Sequence, residues 1–225
     1  MIGIVIPAHN EEELLDGCLA AARISATHPT LLLEPVRIVV VLDACTDDSA
    51  AVARRHHVDI EYVDAMNVGH ARAHGAQRML AGGARWLAFT DADTLVAPDW
   101  LTTQLALRAD AVCGTVGVAD WREHPRHVWE KFRSEYCDRD GHGHIHGANF
   151  GISAEAYLRC GGFKPLSCHE DVDLVRALQA TGAAIAWSAA PRVTTSARLA
   201  SKSRGGFGDT LRSWAQPVSI ERGYP

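Results

Sequence analysis

Arg85-Trp86-Leu87-Ala88-Phe89-Thr90-Asp91-Ala92-Asp93 is a short apolar run, rich in aromatics, that ends in two carboxylates one residue apart. Such a run reads as a buried strand. If strand geometry persists to its end, Asp91 and Asp93 project to the same side, because side chains repeat every second residue. Two acids at the carboxyl end of a buried strand suit a hard divalent ion that also binds substrate phosphates. An isolated Asp-x-Asp is more often a plain exit from a strand into a turn. The surroundings of this pair therefore decide its meaning.

Upstream, Ile2 to Ile6 is a nearly all-apolar strand of the kind covered on both faces, and Pro7 is expected to stop it. His9 to Glu13 reads as the opening of a helix, with Asn10 as its cap and Glu13 as a capping-box acid. Val36 to Leu42 is a second buried strand that ends at Asp43, followed by a helix over roughly 48–57 capped by Thr46 or Asp47. Val58, Ile60 and Tyr62 alternate with Asp59 and Glu61, which predicts a half-exposed strand. Strands with intervening helices give a parallel α/β sheet with right-handed crossovers. Ligands of such sheets gather at the carboxyl ends of the strands. Those ends carry Asn10 and Glu11, Asp43, and Asp91 and Asp93. The next helix begins at Asn67 and ends at Gly82-Gly83. In it Gly69 permits a close backbone approach, and Arg72 is placed to reach a phosphate or a base.

Downstream, Pro98 suits the first turn of a helix running to about Arg108, and Ala111 to Val118 reads as a core strand. Residues 124–138 predict an amphipathic helix with Val128, Trp129, Phe132 and Tyr136 on or near one face. His142, His144 and His146 alternate with glycines; such a tract can bind metal, but no Cys or acid completes a tight set. Ala148 to Ser153 returns as a strand, and Ser153 caps a helix over 154–160. His169-Glu170-Asp171-Val172-Asp173 opens the last strong helix. Asp171 falls in its first turn, where the helix field favours the ionised carboxylate that a general base requires. Ala183 to Trp187 is a final core strand. Arg192, Arg198, Lys202, Arg204 and Arg212 then surround Gly205-Gly206, as either a mobile basic lid or a solvated tail.

A chain of 225 residues suits one α/β domain. The formal charge of −5, with no basic stripe, argues against a nucleic-acid partner. No run is long enough to span a bilayer, and the first residues do not read as a signal peptide. The six cysteines are scattered without a Cys-x-x-Cys, as expected of reduced thiols in a cytoplasmic protein, free or peripheral at a membrane.

Taken in order, Val5-Ile6-Pro7-Ala8-His9-Asn10-Glu11-Glu12, Val41-Leu42-Asp43-Ala44-Cys45-Thr46-Asp47, Asn67-x-Gly-x-x-Arg72, Asp91-Ala-Asp93, Gly147-Ala-Asn149-Phe-Gly-Ile, Gly161-Gly-Phe163 and Glu170-Asp171-x-Asp-Leu174 resemble the family 2 glycosyltransferases of the GT-A fold. The resemblance runs from about residue 2 to 187. It implies a Rossmann-like, mostly parallel central sheet flanked by helices. The single domain, 1–225, would comprise a nucleotide-binding half (1–95), an acceptor-side half (96–190) and a mobile basic C-terminal segment (191–225). It implies transfer of a sugar from a nucleotide-diphosphate donor, UDP-sugars being the usual ones, to an acceptor hydroxyl, with inversion and with Mg²⁺ or Mn²⁺. By position, Pro7, Ala8 and Glu11 match the turn that binds base and ribose, Asp43 an acid that contacts the base, and Arg72 a nucleotide contact. Asp91 matches a nucleotide or ribose contact, Asp93 the metal ligand, and Asp171 the base that deprotonates the acceptor. His146, Asn149, Glu170, Arg198 and Arg204 are assigned to the acceptor or diphosphate side.

Two departures stand out. Many relatives supply a late histidine to the metal, whereas Val193-Thr194-Thr195-Ser196 occupies that region here and no histidine follows His169. The Gln-x-x-Arg-Trp signature of processive synthases is absent, Leu211-Arg212-Ser213-Trp214 being a different pattern, so single transfers are expected. A nucleotidyltransferase would want glycines and cations where Glu11, Glu12 and Glu13 stand. Retention of both Asp93 and Asp171 argues against a non-catalytic nucleotide-sugar binding module. A nucleotide-sugar hydrolase would use the same site with water as its acceptor.

Overall fold

The structure, a computed structural model, describes residues 1–198 and 207–215. Its centre is a seven-stranded sheet of order β3-β2-β1-β4-β8-β6-β9. The strands are β1 (Ile2–Ala8), β2 (Val36–Asp43), β3 (Asp59–Val63), β4 (Trp86–Phe89), β6 (Ala111–Gly114), β8 (Phe150–Ser153) and β9 (Ile185–Ser188). All neighbouring pairs are parallel except those made by β8, which runs against both β4 and β6.

Every residue of β1 is buried, as its unbroken apolar run requires, and alternate side chains feed opposite layers. Ile2, Ile4 and Ile6 pack with α1 (Leu15–Ala26), α2 (Ser49–Arg55) and α4 (Trp100–Ala106). Val5 joins Val39, Val41, Leu87 and Phe89 under α3 (Val68–Ala81), α6 (Ala154–Cys160) and α7 (Glu170–Ala180). The helices after β1 and β2 thus cover one face and the helix after β3 covers the other. That reversal opens a crevice beyond the carboxyl ends of β1 and β4.

Pro7 does not end β1, which continues to Ala8. The carbonyl of Val5 accepts from Thr90 N, on the β4 side, so the groups of Pro7 face that side too. There β4 has already ended, its last partner being Val5. The missing N–H of the proline therefore leaves no gap in the ladder.

Helix α1 begins at Leu15, later than expected, because Asn10 has a left-handed backbone (φ 53°) and its side chain is used elsewhere. Asn10 Oδ1 accepts from Thr46 N at 2.7 Å, tying the β1 exit to the β2 exit. The caps at Asn67 and Ser153 form, each side chain accepting a backbone N–H of the first turn. The stretch expected as one strand from Ala111 to Val118 divides. Its first part stays in the main sheet as β6, while β7 (Gly117–Val118) joins β5 (Thr94–Val96) and β10 (Val193–Thr195) in a three-stranded sheet of order β5-β10-β7. Helices α5 (Arg126–Glu135) and α8 (Phe207–Ala215) pack together through Val128 and Leu211.

Asn149, fully buried, joins the two sheets. Its Nδ2 donates to Thr115 O (2.7 Å) and Pro191 O (2.8 Å), and its Oδ1 accepts from Trp100 Nε1 (2.8 Å). Asn149→Ala should strand these three partners and lower stability by roughly 3 kcal/mol. Urea unfolding measures the loss, and nucleotide affinity of the folded fraction should be unchanged.

Candidate functional site

The crevice is a cavity of roughly 1010 Å³. Pro7 and Ala8 line it where β1 ends. Glu11, 7% exposed, holds its turn by donating its N–H to Ser49 Oγ (2.8 Å). Its carboxylate takes both terminal nitrogens of Arg198 at 2.7 and 2.6 Å. Arg198 also stands 3.2 Å from Asp93 Oδ2. A residue that follows β10 thus binds together the exits of β1 and β4.

At the β2 exit, Asp43 is buried and faces the crevice. Its Oδ1 accepts from Ala65 N and Met66 N, both at 2.8 Å, and its Oδ2 accepts from Asn67 N at 2.7 Å. The carboxylate therefore fixes the turn that starts α3 and, with lone pairs to spare, remains available to a ligand.

Strand geometry does not carry the Asp91–Asp93 pair. Strand β4 ends at Phe89 and a turn follows, with Thr94 N donating to Asp91 O. The two carboxylates take different partners. Asp91 Oδ1 accepts from Arg72 at 2.5 Å, and Asp93 faces Arg198. Burial pushes the Asp93 carboxyl up to about 6, Asp91 and Glu11 add to that rise, and Arg198 opposes it.

Arg72, 3% exposed, also donates to Glu170 Oε1. Burial opposes its charge, but Asp91, Glu170 and Asp171 around it hold its pKa above the usual value. Glu170 is raised by burial, with Arg72 opposing and Asp171 adding. Gly147 lets the guanidinium lie where it does, since a Cβ there would fall 2.3 Å from Arg72 Nη2. The N–H of Gly147 donates to Asp171 Oδ2 (3.0 Å), and Val172 N donates to Oδ1 (2.8 Å). Asp171 is thereby held in the first turn of α7, facing the crevice.

The remaining assigned residues divide. His146 lines the crevice, bonded through Nε2 to Tyr136 Oη at 2.9 Å. Its pKa falls to about 3 through burial and the neighbouring imidazoles. Asn149 lies in the core rather than at the site, because all its polar atoms are used between the sheets. Arg204 lies outside the described residues, as does most of the expected lid. The histidines stack instead of converging. His142–His144 and His144–His146 ring centroids are 5.5 and 5.8 Å apart, and among the described residues no three His, Cys, Asp or Glu come together to hold a metal.

Sequence reasoning missed two parts of the wall. Thr195 and Ser196 arrive through β10 and the residue after it, a strand too short to show a period, whereas Arg198, just beyond, was assigned to the site from the sequence. Phe207 and Trp214 arrive on α8, for which the spacing Phe207, Leu211, Trp214 was a usable signal.

The model of the family described as "Glycosyl transferase family 2" matches residues 3–159, more than half of the chain. The chain belongs to glycosyl transferase family 2. Solved structures with the same fold include Staphylococcus aureus TarS residues 1–349 with UDP-GlcNAc (TM-score 0.65, 14% identity, covering 89% of this chain and 60% of that one). Others are Mycobacterium tuberculosis glucosyl-3-phosphoglycerate synthase with Mg²⁺ and UDP (0.61, 18%, 87% and 71%), and the Pyrobaculum calidifontis mannosyltransferase PcManGT with GDP-Man and Mn²⁺ (0.60, 20%, 88% and 57%). The chain thus spans less than two thirds of the length of the TarS structure. No protein of curated function matches it in sequence. The fold is GT-A, and among the described residues no helix is long and apolar enough to cross a membrane.

The family's divalent cation fits the residues present. Hard cations in nucleotide sites are commonly held by one or two carboxylates, with phosphate oxygens and water completing the shell, so no three-residue cluster is required. Asp93 lines the crevice with Oδ2 beside Arg198 (3.2 Å) and Oδ1 near the hydroxyls of Thr94 (3.3 Å) and Thr195 (3.5 Å), a carboxylate with lone pairs left for a cation.

Removing Arg72 leaves two carboxylates facing each other without their cation. Arg72→Met should cost about 3–5 kcal/mol in urea unfolding. Adding Glu170→Gln should recover about 1–3 kcal/mol of that loss, the coupling expected of residues in one network.

Proposed function

We propose that this chain moves a glycosyl group from a nucleoside-diphosphate sugar to an acceptor hydroxyl, in single inverting transfers assisted by a divalent cation. The observation that carries the reading is the position of Asp171. Its carboxylate is fixed by two backbone N–H groups and opens into the same crevice as Asp91 and Asp93, across the Arg72–Glu170 bridge.

In this reading residues 1–95 bind the nucleotide and residues 96–190 serve the acceptor. Pro7 and Ala8 form the floor beneath the base, with Asp43 at its edge. Asp91 accepts a ribose hydroxyl while Arg72 keeps its carboxylate in place. Asp93 would hold Mg²⁺ or Mn²⁺, which when bound supplies Lewis-acid neutralisation of the diphosphate. Asp171 takes the proton of the acceptor hydroxyl. The freed oxygen attacks the anomeric carbon, and the bond from that carbon to the diphosphate oxygen breaks with its electron pair leaving on the diphosphate. One displacement inverts the centre through an oxocarbenium-like state. The two N–H donors leave the carboxylate of Asp171 fixed and with lone pairs free to accept the acceptor's proton. UDP is the base of first choice, TarS and glucosyl-3-phosphoglycerate synthase both holding uridine nucleotides.

Calorimetric titration with UDP, GDP, CDP, dTDP and ADP, each with and without Mn²⁺, should show one nucleotide binding tightly and only with metal. Asp93→Ala should abolish that metal dependence; unchanged affinity would remove Asp93 from its role. Asp171→Asn should keep nucleotide binding and lower transfer by about 10²–10⁴-fold. Substantial residual transfer would move the proton to Glu170 or Asp173.

A further inference from the structure

On the acceptor side of the crevice the wall is built of rings. Tyr136 stacks on His144 with centroids 4.1 Å apart and planes 6° apart. His146 stands 5.8 Å from His144 and edge-on to Phe207 at 6.2 Å. Trp214, three residues beyond buried Leu211 on α8, lines the same space. His144, His146, Phe207 and Trp214 are half-buried and line the cavity, while Tyr136, stacked between His144 and Phe132, meets it only by its edge. Phe132 backs the group, stacking on Tyr136 at 4.6 Å and meeting Phe207 edge-on at 5.8 Å. His146 is adjacent to Gly147, whose N–H holds Asp171. The ring wall therefore ends beside the proposed base.

Among the described residues the lining of that side holds no Arg or Lys, and Lys131 behind it stands over Trp214 and is paired with Glu135 at 3.8 Å. Among the described lining residues Arg72 and Arg198 are the only Arg or Lys, and each is held by two carboxylates. Both stand toward the nucleotide end. The carboxylates of Glu135, paired with Lys131, and of Asp171 lie where an acceptor would lie. Burial lowers the pKa of His144 and brings that of His146 down to about 3, with neighbouring imidazoles adding to the fall. A flat, partly apolar, uncharged ligand satisfies such a wall, while a phosphate or carboxylate would be desolvated against like charge.

We propose that the acceptor is an uncharged sugar residue of a glycan or glycoside, laid against His144 and His146 and covered by Phe207 and Trp214, with its reacting hydroxyl toward Asp171. This rests on the glycosyltransferase reading above and adds the acceptor class to it. The mycobacterial synthase, whose product is glucosyl-3-phosphoglycerate, provides a contrast in acceptor charge.

The test uses the full chain, Mn²⁺, and the UDP- or GDP-sugar whose nucleotide binds in calorimetry. Acceptors are methyl glycosides of glucose, galactose, mannose and N-acetylglucosamine and their disaccharides, each beside its 6-phosphate, together with 3-phosphoglycerate. Transfer is read by mass spectrometry. Neutral glycosides should be glycosylated with kcat/KM about tenfold or more above their phosphorylated counterparts. Trp214→Ala and, separately, His144→Gln should raise the acceptor KM about tenfold while leaving nucleotide affinity unchanged. Preference for the phosphorylated acceptors, donor turnover with no transfer to any neutral glycoside, or an acceptor KM unmoved in both variants would overturn the proposal. Failure of every nucleotide to bind would instead overturn the glycosyltransferase reading on which it stands.

Discussion

A single buried guanidinium organises the site. Arg72 reaches from the first turns of α3 to Asp91 after β4 and to Glu170 at the start of α7. Its charge is tolerated at 3% exposure because two carboxylates meet it at close range. The bridge is part of a closed circuit. Gly147 leaves room for the guanidinium, its N–H holds Asp171, Asp171 adjoins Glu170, and Glu170 returns to Arg72. Each member positions the next, so the turn after β4, the loop at Gly147 and the start of α7 are tied together. A side chain at residue 147 would break the circuit at its tightest point.

Charge elsewhere in the crevice follows the same logic of local pairing. Glu11 and Asp93 share Arg198, and Asp43 is neutralised by no cation but by three backbone N–H groups. Hydrogen bonds to an anion stabilise its charged form without adding a mobile counter-charge. Asp93 is the exception. Burial first, and then Asp91 and Glu11, push its carboxyl up to about 6 against the pull of Arg198, and a further cation would offset that rise. An acid that is uncomfortable in the folded protein alone is a sensible place for a ligand to gain binding energy.

Most of the fold was legible because its signals are local. The apolar runs of β1, β2 and β4, the glycine stop after α3 and the caps at Asn67 and Ser153 each act within a few residues. What failed depended on distance or on very short elements. Extending the strand to Asp93 failed because the chain turns at once after Phe89. Asn10 met every local criterion for a cap, yet Thr46, far off in sequence, claims its side chain. The sheet of β5, β10 and β7 rests on strands of two or three residues, below the length at which alternation can be seen. The pairing of Arg198 with Glu11 joins opposite ends of the chain and has no sequence signature. Asn149 reads as a site residue as part of the Gly147-Ala-Asn149-Phe-Gly-Ile motif; a turn at 147–149, closed by Asn149 N donating to His146 O, swings its side chain into the core instead.

The one antiparallel strand of the seven-stranded sheet explains how residues 141–149 reach a crevice otherwise built by parallel strands. Parallel strands offer only their carboxyl ends to the crevice, and β1, β2 and β4 supply Ala8, Asp43 and Asp91 in that way. Strand β8 runs the other way between β4 and β6, so its amino end lies at the same edge. The chain leaves that edge at Gly114, builds α5 and the histidine loop above the crevice, and re-enters at Phe150. Had β8 been parallel, residues 141–149 would have been delivered to the opposite edge, far from Asp171. Reversing one strand therefore places a long excursion over the crevice end of the sheet. That excursion can vary its rings and charges while the β1–β4 half and the Arg72 bridge stay as they are, which in the proposed reading makes it the part of the chain suited to setting acceptor choice.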